Sequence, residues 1–247
     1  GTGEVEFVIS GSRVVSVLAS LVLARSLFLY VAPAAPPKVL VACEYSATVR
    51  TALESRGVQA VSCDLLPSEV PGAHFEGDVL RMLDLGFDAM IGHPPCDRLG
   101  LCGARWNVDH WVKVKQLTKR HRGKRTRKTA DGFEYWHDGS ANRVARDRAL
   151  DFFRALWNAP IDRICLENPK SVASTMVAKR TQTVHPWQFG HGEKKETWLW
   201  LKGFPKLVPT DVVEGREERV GKHGTNNPDS AKERARYFPG TASTRAH

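Results

Sequence analysis

Neither a disulfide framework nor a zinc-finger pattern is present in this chain. Its five cysteines are an odd number, and no two of them form a Cys-x-x-Cys pair. That excludes the stapled secreted scaffolds and the common structural zinc sites, and it suits a reduced compartment. Cys43, Cys63 and Cys165 stand in or beside apolar runs, where cysteine serves as a small core residue. Glycine is missing from the turn Glu44-Tyr45-Ser46-Ala47 that follows the apolar run Val39-Leu40-Val41-Ala42. Without glycine the backbone cannot closely approach a pyrophosphate, which argues against a dinucleotide site. No internal repeat is visible. Acid is absent between Lys113 and Lys128, a segment holding nine Lys and Arg. The remaining 27 basic residues balance the 27 acidic ones, so the whole net charge of +9 lies in that segment. A focused positive run is the footprint of a polyanion partner, and a solvated, unstructured charge run is the alternative.

What is present is a regular α/β pattern in 247 residues, enough for one domain with a sizeable core. Strands are expected at Lys38–Ala42, Val58–Ser62, Phe87–Ile91, Ile161–Leu166 and Thr197–Leu201, with another ending before Gly77-Asp78. Helices are expected at Ser46–Arg56, with Gly57 as its cap, at Val79–Leu85 and at Ala141–Trp157. The last shows helical spacing in Val144, Ala145, Ala149, Phe152, Phe153 and Leu156. Alternating strands and helices imply a mostly parallel sheet with helices on both faces. A polar, basic insertion of about 100–139 interrupts the pattern.

Ahead of the domain, Val14 to Ala32 is nearly all apolar, broken by Ser16, Ser20, Arg25 and Ser26. Three readings stand: an extraneous leader, a membrane or export segment, or a packed helix. Arg25 in mid-run is costly in lipid, and Glu4 and Glu6 do not suit the basic start of a signal peptide. Residues 33–37 then read as a proline-rich linker. We expect residues 1–37 to contribute little, a cytoplasmic monomer, and neither metal nor membrane as partner, although the apolar segment leaves membrane association open.

The chemistry gathers at the expected strand tips. His93-Pro94-Pro95-Cys96 follows one strand, and two prolines hold Cys96 in a stiff loop. Glu167-Asn168-Pro169 follows another, so a nucleophile and a carboxylate share the sheet edge where ligands bind in open α/β folds. Asp64 stands twenty residues after Glu44, the distance at which a Rossmann-like unit places its ribose-binding acid. Glu44, Asp64 and Asp78 form a series at successive strand ends. That series, with no phosphate loop, suits a cofactor that has ribose and adenine but no phosphate, which points to S-adenosylmethionine. A thiolate adding to C6 of cytosine makes C5 nucleophilic, and a carboxyl group at N3 and the exocyclic amine steadies the developing charge. Cys96 would need a lowered pKa, for which Arg98 or nearby lysines are the candidate source.

Pro94-Pro95-Cys96 and Glu167-Asn168 resemble two signature motifs of DNA cytosine-5 methyltransferases. Val39-Leu40-Val41-Ala42-Cys43-Glu44-Tyr45-Ser46, Trp187-Gln188-Phe189-Gly190-His191-Gly192 and Trp198-Leu199-Trp200-Leu201-Lys202-Gly203 are similar to segments of the compact, phage-type members. The resemblance runs from about Lys38 to Gly240, the insertion excepted. It implies a Rossmann-like class I S-adenosylmethionine-dependent methyltransferase domain over 38–247, with DNA as partner. Cys96 would be the nucleophile, Glu167 the base-contacting acid, and Asn168 the brace of that loop. Glu44, Tyr45 and Ser46 would line the cofactor's methionine end, Asp64 its ribose and Asp78 its adenine, and Pro94 and Pro95 would also contact the cofactor. Lys194, Lys195 and Thr197 fall where the family contacts the target base or its backbone. DNA affinity would come from Arg98, Lys119, Arg120, Arg122, Lys124 and Arg125. Trp106, Trp111, Tyr135 and Trp136 would either stack on bases or anchor the insertion. Ala47 stands where the family has glycine, and relatives continue into a further helix after Phe238-Pro239-Gly240. Two alternatives remain: a catalytically inactive nucleic-acid-binding protein on the same scaffold, and an N4/N6 amino-methyltransferase, since His-Pro-Pro-Cys also resembles that group's motif.

Overall fold

The computed structural model describes residues 36–214. The apolar run Val14–Ala32 and the segment Phe238-Pro239-Gly240 lie outside the described residues. The main sheet has seven strands: β1 (Lys38–Ala42), β2 (Gln59–Asp64), β3 (His74–Glu76), β4 (Ala89–Gly92), β8 (Arg163–Asn168), β9 (Gln182–Val184) and β10 (Thr197–Lys202). Their spatial order is β3-β2-β1-β4-β8-β10-β9. The first five positions are parallel, and β10 runs antiparallel to both β8 and β9. The chain is therefore α/β with a mostly parallel sheet, in a doubly wound arrangement.

Alternation along each strand builds two cores. Val39, Val41, Ala89, Ile91, Cys165, Leu199 and Leu201 face α1 (Thr48–Glu54), which adds Val49 and Leu53. Leu40, Ala42, Met90, Ile164, Leu166, Trp198 and Trp200 face the opposite way, toward α2 (Ser140–Trp157) and the short α3 (Ala173–Met176). Helices thus cover both faces. Helix α2 buries Leu150, Phe153 and Leu156, while Val144 is exposed and takes no part in the apolar stripe expected of it. Gly57, at φ +77°, ends α1 as expected: its N–H bonds to Glu54 O while that of Val58 reaches back to Leu53 O. The helix expected over Val79–Leu85 is a 3₁₀ turn, Val79–Met82.

The largest difference from expectation is the insertion. It opens as a 3₁₀ segment, Leu101–Asn107, and becomes a three-stranded antiparallel sheet ordered β5-β7-β6: His110–Val114, Gly132–His137 and Thr126–Thr129. Ala130-Asp131 links β6 to β7, and Gly132 takes φ +142° where a Cβ would meet Val114 O at 2.7 Å. Strand β9 was not expected either.

Trp200 is fully buried, packs edge-to-face on Phe153 at 5.0 Å, and donates its indole N–H to Ala178 O. Trp200→Ala should cost about 3–5 kcal/mol of unfolding free energy, measured by urea denaturation, because it leaves both a cavity and an unpaired carbonyl.

Candidate active site

Strand order reverses between β1 and β4: the chain proceeds one way through β2 and β3 and the other way through β4 and β8. At such a switch point the loops beyond the carboxyl ends diverge and leave a crevice. The loop after β1 carries Cys43 to Ala47, and the loop after β4 carries His93 to Cys96. Because β10 is antiparallel, its starting end lies at the same edge, with Lys194 and Lys195 just before it.

The parallel register Gly92↔Leu166 brings His93 alongside Glu167. Their Nδ1 and Oε2 atoms are 3.6 Å apart, and both side chains are largely buried. Glu167 and Asn168 are the last residues of β8 rather than part of the loop beyond it. Asn168 Nδ2 donates to Pro94 O at 2.8 Å inside the protein, which braces the Pro-Pro-Cys loop against the neighbouring strand. Pro94 is buried and Pro95 exposed. Cys96 lies at the surface, its carbonyl accepting from Leu99 N and Gly100 N in a tight turn.

The electrostatics of the pair run against one expectation. Desolvation of the sulfur and then the Glu167 charge push the Cys96 thiol above its ordinary range, with Lys195 opposing. Arg98 does not lower it: its guanidinium is held by Asp97 at 3.2 Å and by Asn142 at 3.1 Å. For Glu167, burial works against the charge, but the His93 hydrogen bond and the Lys195 ammonium outweigh it and hold the carboxyl below its usual range.

On the other side of the crevice, Glu44 differs from expectation. Its carboxylate accepts from Val49 N at 2.6 Å and Arg50 N at 3.1 Å, so it caps α1 and is buried rather than turned toward a ligand. Cys43 and Ala47 take left-handed φ of +61° and +57°. Each costs of order 1–2 kcal/mol for a residue with a Cβ. The backbone here keeps a glycine-like path without glycine, around Tyr45 and Ser46. Asp64 and Asp78 converge on this turn. After burial, the Asp64 charge and then Cys63 and Asp78 raise the Cys43 thiol. Asp64 also accepts from Leu66 N, and exposed Asp78 caps the turn at Leu80 N.

In the insertion, Lys119, Arg120, Arg122, Lys124 and Arg125 are all exposed. The aromatic rings are already covered by the chain's own cations. Arg127 lies 4.3 Å and Arg125 5.5 Å from the Trp111 ring centroid, Lys124 4.5 Å from Tyr135, and Arg105 4.6 Å from Trp106. Trp111 also packs on Trp136, and Trp106 on His110 and His137. These contacts favour the anchoring reading over base stacking. A cleft of about 560 Å³ lined by Thr118, Lys119, Arg120 and His121 opens on this sheet. Lys194 is exposed, whereas Thr197 is buried (1% exposed). Among the described residues there is no cluster suited to a metal, and no helix is long and apolar enough to cross a membrane.

Sequence reasoning missed two residues. His93 lies inside the quoted motif, yet only the parallel register reveals its carboxylate partner. Arg50 is completely buried and ties α1 to the Ser68–Pro71 loop through Val70 O at 2.8 Å and Pro71 O at 3.1 Å. A lone arginine in a helix carries no signal of that.

Since the Glu167 charge raises the Cys96 thiol and Lys195 lowers it, the two neutralising substitutions should move its reactivity oppositely. Glu167→Gln should speed alkylation of Cys96 by iodoacetamide at mildly alkaline pH, and Lys195→Gln should slow it, read by site-resolved mass spectrometry. Compared with protein-family models, with curated proteins and with solved structures, the chain matches none of them.

Proposed function

We propose that this chain is an S-adenosylmethionine-dependent DNA cytosine-5 methyltransferase on a Rossmann-like class I scaffold. The observation that carries the reading is that adjacent parallel strands bring the Pro94-Pro95-Cys96 loop and Glu167 to one sheet edge, with Asn168 bracing that loop. The motifs quoted above supply the rest of the support. The donor set also suits the cofactor. Two converging carboxylates, Asp64 and Asp78, would repel a phosphate but accept from ribose hydroxyls and an adenine amine. When bound, S-adenosylmethionine supplies an electrophilic methyl group.

The chain's own residues then have distinct tasks. Cys96, once ionised, adds to C6 of a cytosine turned out of the duplex. Glu167 gives a proton to N3 as the ring takes up electrons, so C5 becomes nucleophilic. Asn168 holds the nucleophile's loop in register with the acid. Glu44 serves as the structural cap that shapes the cofactor loop. Lys195 offsets the Glu167 charge that raises the Cys96 thiol, and a DNA phosphate placed there would compete for it.

The raised Cys96 thiol favours a second reading, a nucleic-acid-binding protein on the same scaffold without turnover. One experiment separates the possibilities. Mixed with S-adenosylmethionine and DNA containing 5-fluorocytosine, the chain should form a covalent adduct at Cys96, seen by mass spectrometry, and Cys96→Ala should abolish it. Methyl transfer without an adduct would indicate amino-group methylation. DNA binding with no transfer would indicate the binding-only protein.

The insertion's exposed cations are assigned to phosphates. Each neutralised phosphate contributes roughly 0.9 to the log–log salt slope on duplex DNA. Replacing Lys119, Arg120 and Arg122 together by Gln should therefore flatten the slope by up to about 2.7 in binding titrations.

A further inference from the structure

We propose that His93 is the positioning and proton-relay residue of this centre. It would hold the Glu167 carboxylate and resupply the proton that Glu167 gives to N3 of the base. This rests on the cytosine-5 reading above.

The geometry on both sides of the pair is constrained. His93 N donates to Ala42 O at 3.0 Å, so the residue is tied to the end of β1 as well as to β4. The next residue, Pro94, is held from β8 by Asn168 at 2.8 Å. The imidazole is thereby aimed at Glu167 Oε2, 3.6 Å away, with side-chain exposures of 17% and 19%. That is dry enough to keep the pair together and open enough for water to reach the ring.

Other groups face the pair. Lys195 comes from the segment before β10, Cys96 and Asp97 from the loop after β4, and Cys165 from β8 itself. Among these, imidazole is the side-chain type that exchanges protons near neutral pH. The ammonium of Lys195 favours an ionised Glu167, which by itself is the wrong state for donating to N3. An acid kept ionised at rest needs a partner that delivers a proton when the base arrives, and the His93 imidazole stands 3.6 Å from Glu167 Oε2 in the register that serves this.

The balance of the addition step is simple. The Cys96 S–H bond breaks, its proton leaves to water, and the sulfur electron pair forms the S–C6 bond. The C5–C6 π pair moves to C4–C5, and the C4–N3 π pair takes the proton from Glu167. That proton reaches the ionised Glu167 from imidazolium at position 93 as the base arrives, and His93 regains a proton from water. One proton leaves sulfur and one arrives at nitrogen. The N3 proton returns along the same route when the product ring is restored.

The test uses the full chain with S-adenosylmethionine and 5-fluorocytosine DNA, following the rate of adduct formation against pH. His93→Asn keeps a donor near the Nδ1 position but cannot titrate. His93→Gly leaves room for added imidazole, and melting temperatures verify that both variants fold. The expected result is a loss of about tenfold or more at neutral pH with cofactor and DNA affinities retained. The pH profile of His93→Asn should lose one limb, and imidazole should restore part of the rate of His93→Gly. Wild-type rates and profile in His93→Asn would overturn the proposal. So would a uniform loss with an unchanged profile and no recovery with imidazole, since that marks a merely structural role. A wild-type chain that forms no adduct would overturn the methyltransferase reading itself, and this proposal with it.

Discussion

The hydrogen bond from Asn168 Nδ2 to Pro94 O is the contact on which the candidate centre depends. It joins the ends of two parallel strands that are far apart in sequence, and it does so where no water competes. A buried carbonyl left without its donor costs about 1–3 kcal/mol, so the bond holds the tips in one arrangement. Everything around it follows from that closure. The prolines limit the loop's backbone, the register sets His93 beside Glu167, and Cys96 is carried to the crevice. Gly92 permits the approach behind it, since a Cβ there would meet Leu166 Cδ2 at 2.8 Å.

The charges of the site are set in opposition rather than in support. A carboxylate beside a thiol disfavours the thiolate, and the Lys195 ammonium partly offsets it. The same ammonium, with His93, keeps Glu167 ionised despite its burial.

The other half of the crevice is held by less common means. The β1–α1 turn takes left-handed backbone at Cys43 and Ala47 without glycine. The Glu44 cap on two α1 amides and the buried Arg50 hold the start of the helix that follows this turn. Arg50 satisfies carbonyls of the Ser68–Pro71 loop, while Glu69 N bonds to Tyr45 O, so the loop after β2 packs on the loop after β1. The insertion is built differently again. Cationic ends of Lys124 and Arg127 sit over the Tyr135 and Trp111 rings, which ties the basic residues to the aromatic ones.

Much of the architecture was legible because burial leaves a periodic mark. The strands of the parallel core read as apolar runs, α2 as a helical stripe and Gly57 as a cap. The insertion did not read as a sheet, because a small antiparallel sheet with one basic face alternates charge with aromatics and lacks a continuous apolar run; only Asp131-Gly132 hinted at the hairpin. By itself the sequence determined which residue types stand at which strand tips, since apolar runs and breaks dictate where strands end. Tertiary structure alone decided what those residues do there: that Glu44 turns inward to cap a helix, that Thr197 is buried, that Arg98 is spent on Asp97 and Asn142, and that His93 meets Glu167. Those outcomes depend on strand register and on competition among partners distant in the chain, and neither leaves a local pattern.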